Sequence, residues 1–138
     1  MNSQDRGDLS KIKLIGALMK SGKKILDTVG ENHRFDFCFY EECVGSPVKI
    51  LKVQAKTARI VGGSLVFGTC SVVKNKETKK FEKRRYSKDQ IDFYGAYAPE
   101  LDKCYLIPIS LNKKHDIKLR LTQERAMPNS VFAKQFEI

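Results

Sequence analysis

No apolar run in this 138-residue chain approaches the length needed to cross a membrane. The N-terminal MNSQDRGD is polar and carries no apolar signal core, so an intracellular, cytoplasmic protein is expected. Histidine is scarce, and the two present, His33 and His115, are far apart. The four cysteines, Cys38, Cys43, Cys70 and Cys104, form no CxxC pair. Both facts argue against a structural zinc site. Each cysteine sits in or beside an apolar run, so reduced cysteines within strands are expected. Acidic residues are outnumbered, 16 Asp and Glu against 26 Lys and Arg, which gives a net charge of +10. Such an excess attracts polyanions and raises their encounter rate, and nucleic acid is the leading partner. An acidic membrane surface would require a basic amphipathic helix, and none is evident.

What is present suits one domain spanning 1–138. Hydrophobic residues make up 41% and charged residues 30%, and the apolar ones recur in regular patterns. Disorder as the main state is therefore not expected. Residues 5–22, which contain GDLSKIKLIGALMKSG, read as a helix through Leu9, Ile12, Ile15, Leu18 and Met19, with Gly22 as its stop. Strands are expected at 23–29, 34–40, 48–60, 64–73, 91–100 and 103–110, with turns at GENHR, GSP, GG and PELDK. The tail holds KLRL at 118–121, a PN turn, and the apolar piece SVFAKQFEI. One helix followed by a strand-rich middle predicts an α/β or α+β sheet with a helix packed on it.

The segment 74–88 differs in kind. It carries Lys74, Lys76, Lys79, Lys80, Lys83, Arg84, Arg85 and Lys88 against only Glu77 and Glu82. It reads as an exposed loop or hairpin arm, suited to phosphate contacts that position a protein on a duplex. Flanking strands 64–73 and 91–97 would make it a two-stranded ribbon, which fits the major groove. Arg84 and Arg85 are the favoured base readers, since arginine pairs with guanine through two hydrogen bonds. A solvated charged loop is the competing explanation. Lys113, Lys114, Lys118 and Arg120 are weaker candidates for phosphate contact.

Three polar residues sit where a purely structural sequence would not place them. Asp36 interrupts the aromatic run FDFCFY, and Gln54 and Lys56 lie two apart on a strand, hence on one face. Leu51, Val53 and Ala55 then face the core. A carboxylate and an amide carbonyl suit Mg²⁺, a hard cation that keeps several waters. A neighbouring lysine can orient an attacking water or offset charge in a phosphoryl transition state. Taken alone, an Asp followed by QxK fits equally the solvated face of an amphipathic strand.

The longer pattern decides between them. GDLSKIKLIGALMKSG, ENHRFDF, KVQAKT, GSLVFGTCS, RRYSKDQIDFYGAYAPELDKCYLIPI, LRL and FAKQFEI follow one another in family order, and IDFYGAYAPELDKCYLIP is the most specific block. Over nearly its whole length the chain resembles the PD-(D/E)XK endonuclease superfamily, and within it the intron-encoded homing endonucleases. The resemblance implies a restriction-endonuclease-like core, a mixed sheet flanked by helices, that cleaves double-stranded DNA with Mg²⁺. It places the first-motif aspartate at Asp36 and the second motif at Gln54 and Lys56, with Asp36 and Gln54 as the metal ligands. A glutamine at that place also occurs in the homing branch.

One position departs from the pattern. The family usually carries a glutamate in the first helix, and here that position is Lys11. At about 100° per residue Lys11 falls in the inward sector of Ile15 and Leu18, with Asp8 beside it. Asp8 supplies the missing carboxylate, or Lys11 snorkels outward, or the exchange cripples metal binding; the sequence leaves all three open. The reading is a sequence-specific, Mg²⁺-dependent homing-type endonuclease. A catalytically impaired DNA-binding protein on the same fold and a structure-selective, Holliday-junction-resolvase-like nuclease are the alternatives. Cutting both strands needs at least two active sites, so a homodimer or homotetramer is expected. Val131, Phe132 and Phe136 would serve that interface or complete the core.

Overall fold

The side-chain oxygen of Asn2 accepts the Asp5 N–H at 2.8 Å, which satisfies one of the donors a helix start leaves orphaned. The helix it caps, α1, runs Ser3–Lys20, two residues earlier at each end than the apolar spacing suggests. Gly22 stops it with φ +90°, a backbone state that costs glycine least. The computed structural model describes residues 1–113, 115–124 and 127–138, so Lys114 lies outside the described residues. No described helix is long and apolar enough to cross a membrane.

Among the described residues ten strands follow: β1 (Lys24–Asp27), β2 (Phe37–Tyr40), β3 (Leu51–Thr57), β4 (Arg59–Val61), β5 (Ser64–Gly68), β6 (Cys70–Lys74), β7 (Phe81–Arg85), β8 (Phe93–Ala98), β9 (Lys103–Pro108) and β10 (Asp116–Arg120). Two runs expected as single strands are each broken in two. The run 48–60 divides at the buried Ala58 into β3 and β4, and 64–73 divides at the buried Thr69 into β5 and β6. Each break moves the chain into a different sheet. Thr69 is held at its break by its hydroxyl, which donates to the Lys113 carbonyl at 3.0 Å and also to His115.

The central sheet has the order β1-β2-β3-β8-β9. Only the β3–β8 pair is parallel, so the sheet is mixed, in keeping with a restriction-endonuclease-like fold. Helix α1 covers one face through Leu14 and Leu18, which meet Phe37, Phe39, Val53, Tyr97 and Cys104. Ile12 and Met19, expected on the buried stripe, are 65% and 60% exposed, so that stripe is narrower than the sequence suggests. At Gly95 a Cβ would lie 3.0 Å from both Leu14 and Val53, which is why helix and sheet approach so closely there. A second sheet, β10-β5-β4, covers the other face, burying Leu65, Phe67, Ile117 and Leu119 against Tyr94, Ala96 and Ile107. Val131 and Phe136 pack on this second core. The cysteines are free; Cys43, expected in a strand, instead lies exposed in the loop after β2.

The basic segment forms part of a separate two-stranded ribbon, β6 with β7. The expected partner 91–97 belongs instead to β8 in the central sheet, because its residues are buried there. Asn75 builds the ribbon's turn: its side chain accepts the N–H groups of Glu77 and Thr78, and Lys79 takes φ +58°.

Candidate active site

The site forms where β2 parts from β3. Their ladder includes Phe37 opposite Val53, and Asp36 extends it by one bond, its N–H donating to the Val53 carbonyl at 2.9 Å. Beyond that point the Ala55 N–H has no β2 backbone partner. The Asp36 carboxylate supplies one, Oδ2 accepting that N–H at 2.7 Å. An aspartate at the mouth of the strand pair thus satisfies the backbone and is fixed beside β3.

Gln54 and Lys56 flank Ala55 on the opposite face of β3 from the α1 core, as the two-residue spacing requires. Both are half-buried. Lys56 Nζ donates to the Cys70 carbonyl at 3.0 Å and lies 5.3 Å from the centre of the Tyr86 ring. Arg34 lies 4.0 Å from that ring and ties the ribbon's base to the sheet. Its Nη1 donates to Ser71 Oγ at 2.9 Å, its Nε to Gln90 at 3.0 Å, and its Nη2 to the Arg85 carbonyl.

Lys11 approaches from the helix side. Its Nζ lies 2.7 Å from Asp27 Oδ1. The β1–β2 register sets Asp27 opposite Phe37, next in sequence to Asp36, and the Thr28 hydroxyl donates to the Asp36 carbonyl at 3.2 Å. Ser10, buried, shares a 2.6 Å hydrogen bond with Thr57 and so pins α1 to β3 one residue from both Lys11 and Lys56. Asp8 is exposed and accepts from the Gln4 amide at 3.1 Å. Asp27 and Arg34 carry no sequence signal of their own; each becomes visible only through strand register.

Burial governs the electrostatics. It pushes the Asp36 carboxyl above the ordinary carboxylate range, against the opposing pull of the Ala55 N–H, Lys11 and Lys56. Burial likewise holds the Lys56 ammonium below its ordinary value, with Asp36 pulling the other way. Asp27 is lowered, first by its hydrogen bond from Lys11. The donor set that could face a metal is the Asp36 carboxylate and the Gln54 amide, both oxygen donors. No group of three His, Cys, Asp or Glu residues occurs among the described residues, so a closed, all-protein cage is not formed there. A Mg²⁺ ion, which binds through one or two carboxylates and keeps its waters, fits such a set.

The ribbon is exposed along β7 and carries most of the basic residues of the 74–88 segment. Lys74, Lys76, Lys79, Lys80, Lys83 and Lys88 are all exposed. Register separates the two arginines: Arg85 pairs with Cys70 and Arg84 with Ser71, on opposite faces. The ribbon's root, at Cys70, is the partner of Lys56.

A helix-backed mixed sheet thus carries an aspartate, a glutamine and a lysine where β2 and β3 part. The chain belongs to the PD-(D/E)XK endonuclease family, whose model matches residues 1–138. It is thus a DNA endonuclease by class. A solved bacterial homing endonuclease, I-Ssp6803I, shares the fold with a TM-score of 0.76 at 22% identity, over 99% of this chain and 89% of that one. No curated protein matches the sequence.

Proposed function

We propose that the chain is a Mg²⁺-dependent, sequence-specific endonuclease that hydrolyses phosphodiester bonds in double-stranded DNA, in the manner of homing endonucleases. The observation that carries this reading is the Asp36–Ala55 hydrogen bond, which holds a carboxylate beside the strand bearing Gln54 and Lys56. Asp36 and Gln54 hold the metal. When bound, Mg²⁺ polarises the scissile phosphate and acidifies a bound water. Lys56 would position an attacking water or offset transition-state charge. The exposed ribbon lies along the duplex through Lys74, Lys76, Lys79, Lys80 and Lys83, with Lys88 just beyond it and Arg84 or Arg85 reading base edges. The domain acts as a homodimer or homotetramer, which supplies one centre per strand. The solved homing endonuclease of the same fold supports the homing assignment.

A second reading is favoured by one specific contact. The Lys11 ammonium, paired with Asp27 and acting electrostatically on Asp36, puts a positive charge near where a divalent cation would approach, which suits a DNA-binding protein impaired in catalysis. Nicking of supercoiled plasmid with and without Mg²⁺, compared with filter binding of the same DNA, separates the two. Binding without any Mg²⁺-dependent cutting would favour the second.

A further inference from the structure

Lys11 is paired with Asp27, and the β1–β2 register sets Asp27 opposite Phe37, next in sequence to Asp36. Its Nζ lies 2.7 Å from Asp27, while its charge also reaches Asp36. The Asp27 side chain is 57% exposed and that of Lys11 is 27% exposed, so the pair stands at the mouth of the site rather than in the core. The Thr28 N–H donates to Asp27 Oδ1 at 2.8 Å, the same oxygen that meets Lys11, and so orients the carboxylate. Without Asp27, Asp36 remains a carboxylate within the electrostatic reach of Lys11. Asp36 is largely buried, and one of its oxygens takes the Ala55 N–H. A flexible ammonium freed beside it would be drawn in, and a divalent cation would have to displace it.

We propose that Asp27 is a positioning residue that tethers the Lys11 ammonium away from Asp36 and so keeps the Asp36 carboxylate open to a divalent cation. This rests on the reading of Asp36 as a metal ligand. Asp27 acts through Lys11 and does not itself bind the ion. The arrangement makes residues 11 and 27 a matched pair, in which the charge on β1 offsets the charge on α1.

The test is a double-mutant cycle on the full-length chain, with Mn²⁺ titrated and free Mn²⁺ read by electron paramagnetic resonance. Asp27→Asn is expected to weaken Mn²⁺ binding about tenfold when Lys11 is present. In a Lys11→Met background the same change is expected to do little, and Asp27→Glu is expected to retain the wild-type affinity. An equal loss in both backgrounds would mean that Asp27 acts on the ion directly; no loss in either would mean that the tether does nothing. Either result overturns the proposal. Asp36→Asn is the control: Mn²⁺ affinity unchanged there removes the metal reading itself, and the tether with it. Circular dichroism of each variant checks that the fold is retained.

Discussion

Asp36 accepts the Ala55 amide at 2.7 Å, and this one bond ties the candidate catalytic carboxylate to the strand that carries Gln54 and Lys56. It also constrains how the site responds to pH. The Asp36 carboxyl titrates above the ordinary range because burial outweighs its hydrogen bond and the two lysines. In the metal-free protein the folded state therefore holds this proton to a higher pH than the unfolded chain does. That stabilising contribution is full below the ordinary carboxylate value and is lost as pH rises through the raised one. Metal binding runs the other way, since it needs the ionised form. Thermal melts of wild type and Asp36→Asn across that window are expected to show the metal-free wild type losing ground with rising pH. Mn²⁺ affinity should rise over the same interval. Parallel melting curves would contradict the assignment.

The Lys11 ammonium stands at the mouth of the candidate site, so exchanging it for a carboxylate is expected to raise the affinity for a divalent cation. Lys11→Glu is expected to increase Mg²⁺-dependent nicking and to shift half-saturation to lower Mg²⁺. The check is a Mg²⁺ titration of plasmid nicking at fixed protein. An unchanged titration would show that the ammonium does not inhibit.

The ribbon register makes a prediction about specificity. A ribbon in the major groove presents one face to the base edges. Arg84 and Arg85 lie on opposite faces, so they are expected to differ. Alanine at one should relax sequence preference, and alanine at the other should weaken binding to all sequences alike. Selection from a randomised duplex pool reads this directly; relaxed preference in both variants would argue against groove insertion.

Lys79 offers a cleaner probe of phosphate contact than its neighbours. Its backbone sits at φ +58°, which glycine accepts, so Lys79→Gly removes the charge without straining the turn. The slope of log affinity against log salt is expected to fall by about one. No change in slope would remove Lys79 from the interface.

Packing between helix and sheet sets the position of Lys11. Gly95 leaves room for Leu14 only because it has no Cβ. Gly95→Val is expected to cost about 1–3 kcal/mol by overpacking, measured by urea unfolding. A stability equal to wild type would mean that α1 slides without penalty.

Much of this site was legible before any coordinates. Asp36 is a charge inside an aromatic run, and the spacing of Gln54 and Lys56 on a strand fixes their common face. Strand parity places Leu51, Val53 and Ala55 toward the core, where they are found. The breaks at Ala58 and Thr69 were not legible, because continuous apolar runs carry no mark of a change of sheet. The hairpin arm is legible in the sequence, but its expected partner strand 91–97 is not the one found, because that run is buried in the central sheet. Asp27 was invisible for a different reason. A lone acidic residue at the end of a short strand is ordinary, and its meaning comes only from the Lys11 ammonium 2.7 Å away.

The most direct test of the account is cleavage of supercoiled plasmid by the wild-type chain with Mg²⁺, beside Asp36→Asn and Lys56→Ala. The account predicts cutting that requires Mg²⁺ and falls at least about 10²-fold in Lys56→Ala, with DNA binding retained. Cutting that persists at the wild-type rate in both variants would place the active centre elsewhere and contradict it.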